Sequence, residues 1–170
     1  MFNDIDLSDF WEDSEYSLEN YVSQSPTSEL INSIEDELGY KLPTSYLELM
    51  KSQNGGIPKN CRFQTNEPTS WANDHIAISG IFGIGRDKEY SLCGGSGSQL
   101  WLDEWEYPDI GIYFGNCPSG GHQMICLNYC RNGKSGEPEV VYVDQDDDYK
   151  ITFLAKNFES FIKGLVNDDI

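Results

Sequence analysis

Apolar positions in the first third of the chain recur at helical spacing. Over residues 10–22, Phe10, Ser14, Ser17 and Tyr21 share one face, with Trp11 and Leu18 beside it. This predicts a short, strongly acidic amphipathic helix, suited to a docking arm or a frayed end. Leu30, Ile31, Ile34 and Leu38 then fall at i, i+1, i+4 and i+8, the stripe of a helix that packs on a core. Ser25-Pro26 reads as its start, with serine as cap and proline in the first turn. Gly39 reads as its stop. Leu42-Pro43 opens a third helix, with Tyr46, Leu47 and Met50 on the buried side. Asn54-Gly55-Gly56 closes it, because glycine enters the left-handed region without steric cost.

From about residue 75 the period falls to two. Residues 75–82 alternate and predict one strand. Further strands are expected over 110–114, 123–129, 139–143 and 149–153. Residues 94–98 form a glycine- and serine-rich loop, followed by a short aromatic segment with Trp101, Trp105 and Tyr107. Asn116-Cys117-Pro118-Ser119-Gly120-Gly121 and the acidic stretch 144–148 are turns. A helix over 158–165 ends the pattern, apolar at Phe158, Phe161, Ile162 and Leu165. Helices, then strands, then one helix indicate an α+β fold, not the alternation of a doubly wound sheet. The expected architecture is a mostly antiparallel sheet flanked by N-terminal helices and one C-terminal helix. The expected organisation is an acidic helical extension over 1–24 and one α+β domain over 25–170.

Charge adds the most to this picture. The chain carries 29 acidic and 11 basic side chains in 170 residues, a net charge of -18. Residues 1–40 hold eleven carboxylates and no Lys or Arg, and residues 101–150 hold ten carboxylates against three bases. Such a field repels nucleic acid and anionic lipid and attracts basic proteins. The opening residues are acidic, whereas a secretory signal starts basic and then runs apolar. No apolar run approaches a membrane span. A cytoplasmic chain is therefore expected, and with it five reduced cysteines.

Candidate chemistry is sparse. Cys117 and His122 flank a glycine turn, the raw material of a thiol hydrolase, but a turn cysteine and a satisfied imidazole explain them better. Cys117, His122, Cys126 and Cys130 resemble a zinc ligand list. On a strand, however, 122, 126 and 130 stand roughly 13 Å apart in succession, too far for one ion. Asp144, Asp146 and Asp148 alternate as in a calcium loop, yet Tyr149 stands at the glycine position and Ala155 at the bidentate glutamate position. The reading is of no catalytic set, no metal and no cofactor. A protein-binding surface remains. Asp103, Glu104, Trp105, Glu106 and Asp109, next to Trp101 and Tyr107, combine aromatic anchors with carboxylates, and Asp144, Asp146, Asp147 and Asp148 form a second acidic candidate. The plainer reading is that both tryptophans are core, and for Trp105 it is the favoured one.

Several blocks, in order, resemble the SUKH superfamily of Smi/Knr-type proteins. They are Ile34-Glu35-Asp36-Glu37-Leu38-Gly39, Leu42-Pro43-Thr44-Ser45-Tyr46, Asn54-Gly55-Gly56, Ile81-Phe82-Gly83-Ile84, residues 105–111, Ile125-Cys126-Leu127-Asn128-Tyr129 and residues 136–141. Ala155, Phe158, Phe161 and Leu165 match the typical ending. Two positions depart from the pattern: Asn128 stands where many relatives carry aspartate, and Glu106 where relatives often carry glycine. The resemblance implies an α+β domain with no common catalytic residues. It implies an immunity protein that binds a cognate secreted toxin, frequently a nuclease or deaminase, and by its charge a basic one. A regulatory scaffold or small-ligand sensor on the same fold is the alternative.

Overall fold

The structure, a computed structural model, describes residues 1–167. A two-stranded antiparallel ribbon, β1 (Arg62–Gln64) with β2 (His75–Ala77), precedes the main sheet. The main sheet is an antiparallel meander of β3 (Gly80–Ile81), β4 (Gly111–Asn116), β5 (Gln123–Asn128), β6 (Glu139–Asp144) and β7 (Lys150–Ala155), with neighbours in that order. Strands β4, β5 and β6 are buried along nearly their whole length. This is why they read as continuous apolar runs and not as clean alternation. Strand β7 ends the sheet and alternates: Thr152 and Leu154 are buried, whereas Ile151 and Phe153 are exposed. The α+β, mostly antiparallel architecture read from the sequence is the one observed.

Helix α1 (Glu15–Asn20) is shorter than its periodicity suggested. The Ser14 hydroxyl accepts from Ser17 N–H at 3.2 Å and starts the helix there. A 3-10 turn at Leu7–Asp9 comes first, and Trp11 then pairs by an isolated bridge with Pro58. Phe2, Phe10, Trp11 and Tyr21 all belong to the core, so the acidic segment is anchored by aromatic burial. Helix α2 (Ser28–Leu38) is capped by Thr27, which accepts from Leu30 N–H at 3.1 Å, two residues after the expected cap. It ends at Gly39 with φ 81°. Buried Glu35 accepts from Leu42 N–H at 2.7 Å and so orients the entry to helix α3 (Thr44–Ser52). Ser45, Tyr46, Leu49 and Met50 are the buried positions of that helix; Leu47 is only partly covered.

Three further differences have local causes. The predicted strand over 75–82 is broken, because Ile78 N–H bonds Cys61 O while Ser79 N–H bonds Asn116 O. The chain crosses there from the ribbon to the main sheet. Strand β1 was not expected; with three residues it is too short to show a period. The aromatic segment after the 94–98 loop begins as helix α4 (Ser98–Asp103), which buries Trp101. Helix α5 (Phe158–Gly164) closes the core: Phe158 and Phe161 meet Phe114 at ring distances of 5.5 and 5.9 Å, and Tyr46 lies 4.7 Å from Phe158. Among the described residues no helix is long and apolar enough to cross a membrane.

Candidate functional site

The Trp105 part of one acidic segment and the acidic turn 144–148, both singled out in the sequence, come together at one end of the sheet, whereas Asp109 stands near the opposite end, where Gly111 pairs with Asn128. Tyr149 donates its hydroxyl proton to the carbonyl of Trp105. The Trp105 ring meets His122 edge-on at 6.3 Å, and His122 Nδ1 lies 2.8 Å from Asp146 Oδ1. Beneath them Trp101, Trp105, Tyr107 and Tyr149 form a continuous aromatic cluster, with ring distances of 5.4, 6.1 and 5.3 Å. Gly121 closes the contact. Its φ is 96°, and a Cβ there would sit 2.8 Å from Trp101 Cζ3 and 3.1 Å from Trp105 Cη2. Tyr107 donates to the Gly121 carbonyl at 2.6 Å and ties the aromatic segment to this turn.

Backbone strain gathers on the same surface. Glu106, Asp148 and Tyr149 are the non-glycine residues with positive φ among the described residues, at 60°, 55° and 59°. The left-handed region costs an L-residue roughly 1–2 kcal/mol. Glu106 therefore occupies a backbone state that glycine would adopt without steric cost. The other departure has a simple account: Asn128 Oδ1 accepts from Cys130 N–H at 3.0 Å, a bond that an aspartate oxygen would make equally.

Of the sequence candidates, Asp103, Glu104, Glu106, Asp109, Asp146, Asp147 and Asp148 are exposed, and Trp105 is half-buried over the cluster. Asp144 is not available at the surface. It is 1% exposed and accepts from Ser70 N–H and from Gln123 Nε2, each at 3.0 Å. The position ends strand β6 and faces inward, so the alternation of acids across 144–148 misled. Asp144 pins the 65–74 loop to the sheet. No Lys or Arg occurs between residues 89 and 130, so the Trp105 segment has no cation in its own stretch of chain.

The alternatives in catalysis and metal binding do not assemble. Cys117 is buried, and burial pushes its thiol well above the ordinary range, which disfavours the thiolate. His122 is engaged by Asp146 and Trp105. Among the described residues no group of three or more His, Cys, Asp or Glu is placed to hold a metal ion.

One feature went unread in the sequence. A groove of about 800 Å³ runs beside the Cys117-to-Gly120 turn, lined by Tyr16, Tyr21, Trp71, His75 and Tyr90, with Glu12 at its rim. Tyr90 stacks on Tyr21 at 4.7 Å, and Tyr21 donates to Asn116 Oδ1 at 2.9 Å. Tyr16 and Trp71 remain 56% and 41% exposed. Its walls come from five separate stretches of chain, and Trp71 is placed by the loop that Asp144 holds. No local pattern would have disclosed it.

The fold is an α+β domain with a five-stranded antiparallel meander and an acidic, aromatic surface at one end of the sheet. A family model for the SUKH_6 family, described as SMI1-KNR4 cell-wall, matches residues 28–162. The chain belongs to that family. No curated protein matches the chain. The match begins after helix α1, so Glu12, Tyr16 and Tyr21 of the groove lie outside it.

Proposed function

We propose that the chain is an immunity protein that binds and neutralises a cognate, basic, nuclease- or deaminase-type secreted bacterial toxin in the cytoplasm, and that it catalyses no reaction. One observation carries this reading: Trp105, in the acidic 103–109 stretch, is joined to the exposed acidic turn 146–148 through Tyr149 and His122. An aromatic centre with an acidic rim suits a cationic partner. Long-range attraction would raise the association rate roughly 10–10³-fold and fade with salt. Family membership supports a protein partner. In this reading Asp103, Glu104, Trp105, Glu106, Asp146, Asp147 and Asp148 form the contact surface, with Asp144 behind it as support.

The test is capture of binding proteins from the native lysate by the tagged chain, washed at low and high salt, beside a variant with Asp146, Asp147 and Asp148 all changed to Asn. A basic toxin-like protein held at low salt, released at high salt and lost by the variant is the expected result. Equal retention by the variant would refute this surface. The groove favours a second reading, a regulatory scaffold or ligand sensor, since its volume falls within the roughly 300–1,000 Å³ of small-molecule sites. A housekeeping partner retained at both salts would favour that reading instead.

A further inference from the structure

The β1–β2 ribbon has one closed edge and one open edge. Arg62 pairs with Ala77 and Gln64 with His75. Arg62 exchanges its backbone hydrogen bonds with Val166, at 3.1 and 2.8 Å, on the side away from β2. Arg62 and Ala77 are therefore a non-hydrogen-bonded pair, and so, two residues along, are Gln64 and His75. The ribbon's own bonds fall at the alternate pairs: Ile78 N–H donates to Cys61 O, and Thr65 N–H to Asp74 O. The backbone N–H and C=O groups of half-buried His75 and Ala77 thus point out of the open edge, and none is bonded among the described residues. Further along the same edge, Ser79 N–H donates to Asn116 O at 2.7 Å, where strand β4 lies alongside. Beyond Asn116 the chain turns away through Cys117 and Pro118, and a slot opens. The groove of about 800 Å³ is that slot: His75, Ala77 and Ser79 line one side, and Cys117, Pro118 and Gly120 the other.

We infer that the slot takes an extended, basic segment of a partner polypeptide, added to β2 as a third strand. His75 and Ala77 offer donors and acceptors at a two-residue period. An extended chain presents its own N–H and C=O groups at that same period, so it satisfies both positions at once. Aromatic rings stand open on the walls: Tyr16 is 56% exposed and Trp71 41% exposed. Such faces cover apolar side chains or the aliphatic stem of a lysine or arginine. Charge sets the sign of the segment. Exposed Glu12 lines the slot and pairs with no cation among the described residues. Lys59, the lysine in the lining, is already tied to Asp9, and His75 Nδ1 lies 2.8 Å from Asp74 Oδ1. Glu15 and Glu19 on helix α1 add two exposed carboxylates beside Tyr16. A segment carrying lysine or arginine is thus attracted and an acidic one repelled. No residue of the 103–109 or 146–148 surface lines the slot, so this inference stands apart from the toxin-binding reading.

Selection of random heptapeptides from a display library against the full chain, at physiological salt, supplies the probes, and fluorescence polarisation measures their affinity. Peptides carrying lysine or arginine are the expected winners. Ala77→Pro should weaken them at least roughly tenfold, because proline removes an N–H that the ribbon itself does not use. Its circular dichroism spectrum should match that of the unaltered chain. Glu12→Gln should weaken the basic peptides about threefold. N-methylation walked along a selected peptide gives a readout that needs no change in the protein. It should abolish binding at alternate positions and be tolerated between them, a pattern that strand pairing imposes and a merely aromatic groove does not. Failure to enrich basic peptides would overturn the inference. So would equal affinity for the Ala77→Pro chain, or tolerance of N-methylation at every position.

Discussion

Replacing Glu106 by glycine should make the protein more stable while removing a charge from its candidate contact surface. Glu106 holds φ at 60°, and its side chain makes no hydrogen bond or ion pair among the described residues, so the substitution removes strain without removing a contact. Relief of the left-handed conformation is worth roughly 1–2 kcal/mol. The extra freedom glycine brings to the unfolded chain costs about 0.5–1 kcal/mol. The difference is a net gain of about 0.5–1 kcal/mol. For a domain of this size the melting temperature should rise by about 1–4 °C. Glu106→Ala supplies the control: it removes the same carboxylate and keeps the strained backbone, so its stability should stay within about 0.5 kcal/mol of the original. Urea unfolding and a thermal melt, each followed by circular dichroism, measure both variants. Under the proposed function, both should also capture the basic partner less well at low salt. Stability would then move one way and binding the other, the expected signature of strain kept at a working surface. A glycine variant no more stable than the alanine variant would refute the strain argument.

Gly121→Ala should destabilise by about 2 kcal/mol, since its Cβ collides with Trp101 and Trp105 at a positive φ; an unchanged urea midpoint would show that the turn can relax. Asn54→Ala should cost about 3 kcal/mol and speed amide exchange at Ile84, because the buried Asn54 amide donates to the carbonyls of Gln24 and Ile84 at 2.9 Å each and accepts from Ile84 N–H at 2.7 Å. Titration with a thiol-reactive disulfide reagent at neutral pH should modify exposed Cys130 at once. Cys117 and Cys126 should react only on unfolding, and Cys93 slowly, its thiol pushed up to about 12 by burial and by the Glu37 carboxylate.

The residues that carry the family resemblance are nearly all occupied with holding the fold. Glu35 fixes the Leu42 amide, Tyr46 donates its hydroxyl to the Phe82 carbonyl, and Asn54 latches two loops. Within residues 105–111, Tyr107 and Pro108 hold neighbouring turns, the Pro108 carbonyl accepting from Tyr113 at 2.7 Å. At Gly111 a Cβ would lie 1.8 Å from the Leu127 carbonyl oxygen. These signals are local and steric, so the α+β architecture and most element positions were legible from spacing and punctuation. The exceptions were elements set by remote pairing, such as β1 and the break at Ile78, and the first helix, where a serine cap overrode the apolar period.

The candidate site was legible only as two separate acidic stretches. Their union depends on Gly121, His122 and Tyr149, each more than ten residues from Trp105. The inward turn of Asp144 depends on Ser70, which is 74 residues away. Charge counts weigh every carboxylate alike, whereas the fold divides them into one that holds a loop and several that face solvent. The division also bears on specificity. The family match covers the sheet and its helices but stops short of helix α1, whose Tyr16 forms one wall of the groove. A shared scaffold can therefore keep its hydrogen-bonded frame while partner choice is altered in exposed acids, in strained positions such as Glu106 and in the segment before residue 28. Under the proposed function, none of these changes needs to disturb Glu35, Tyr46 or Asn54, so the frame and the contact surface could vary independently.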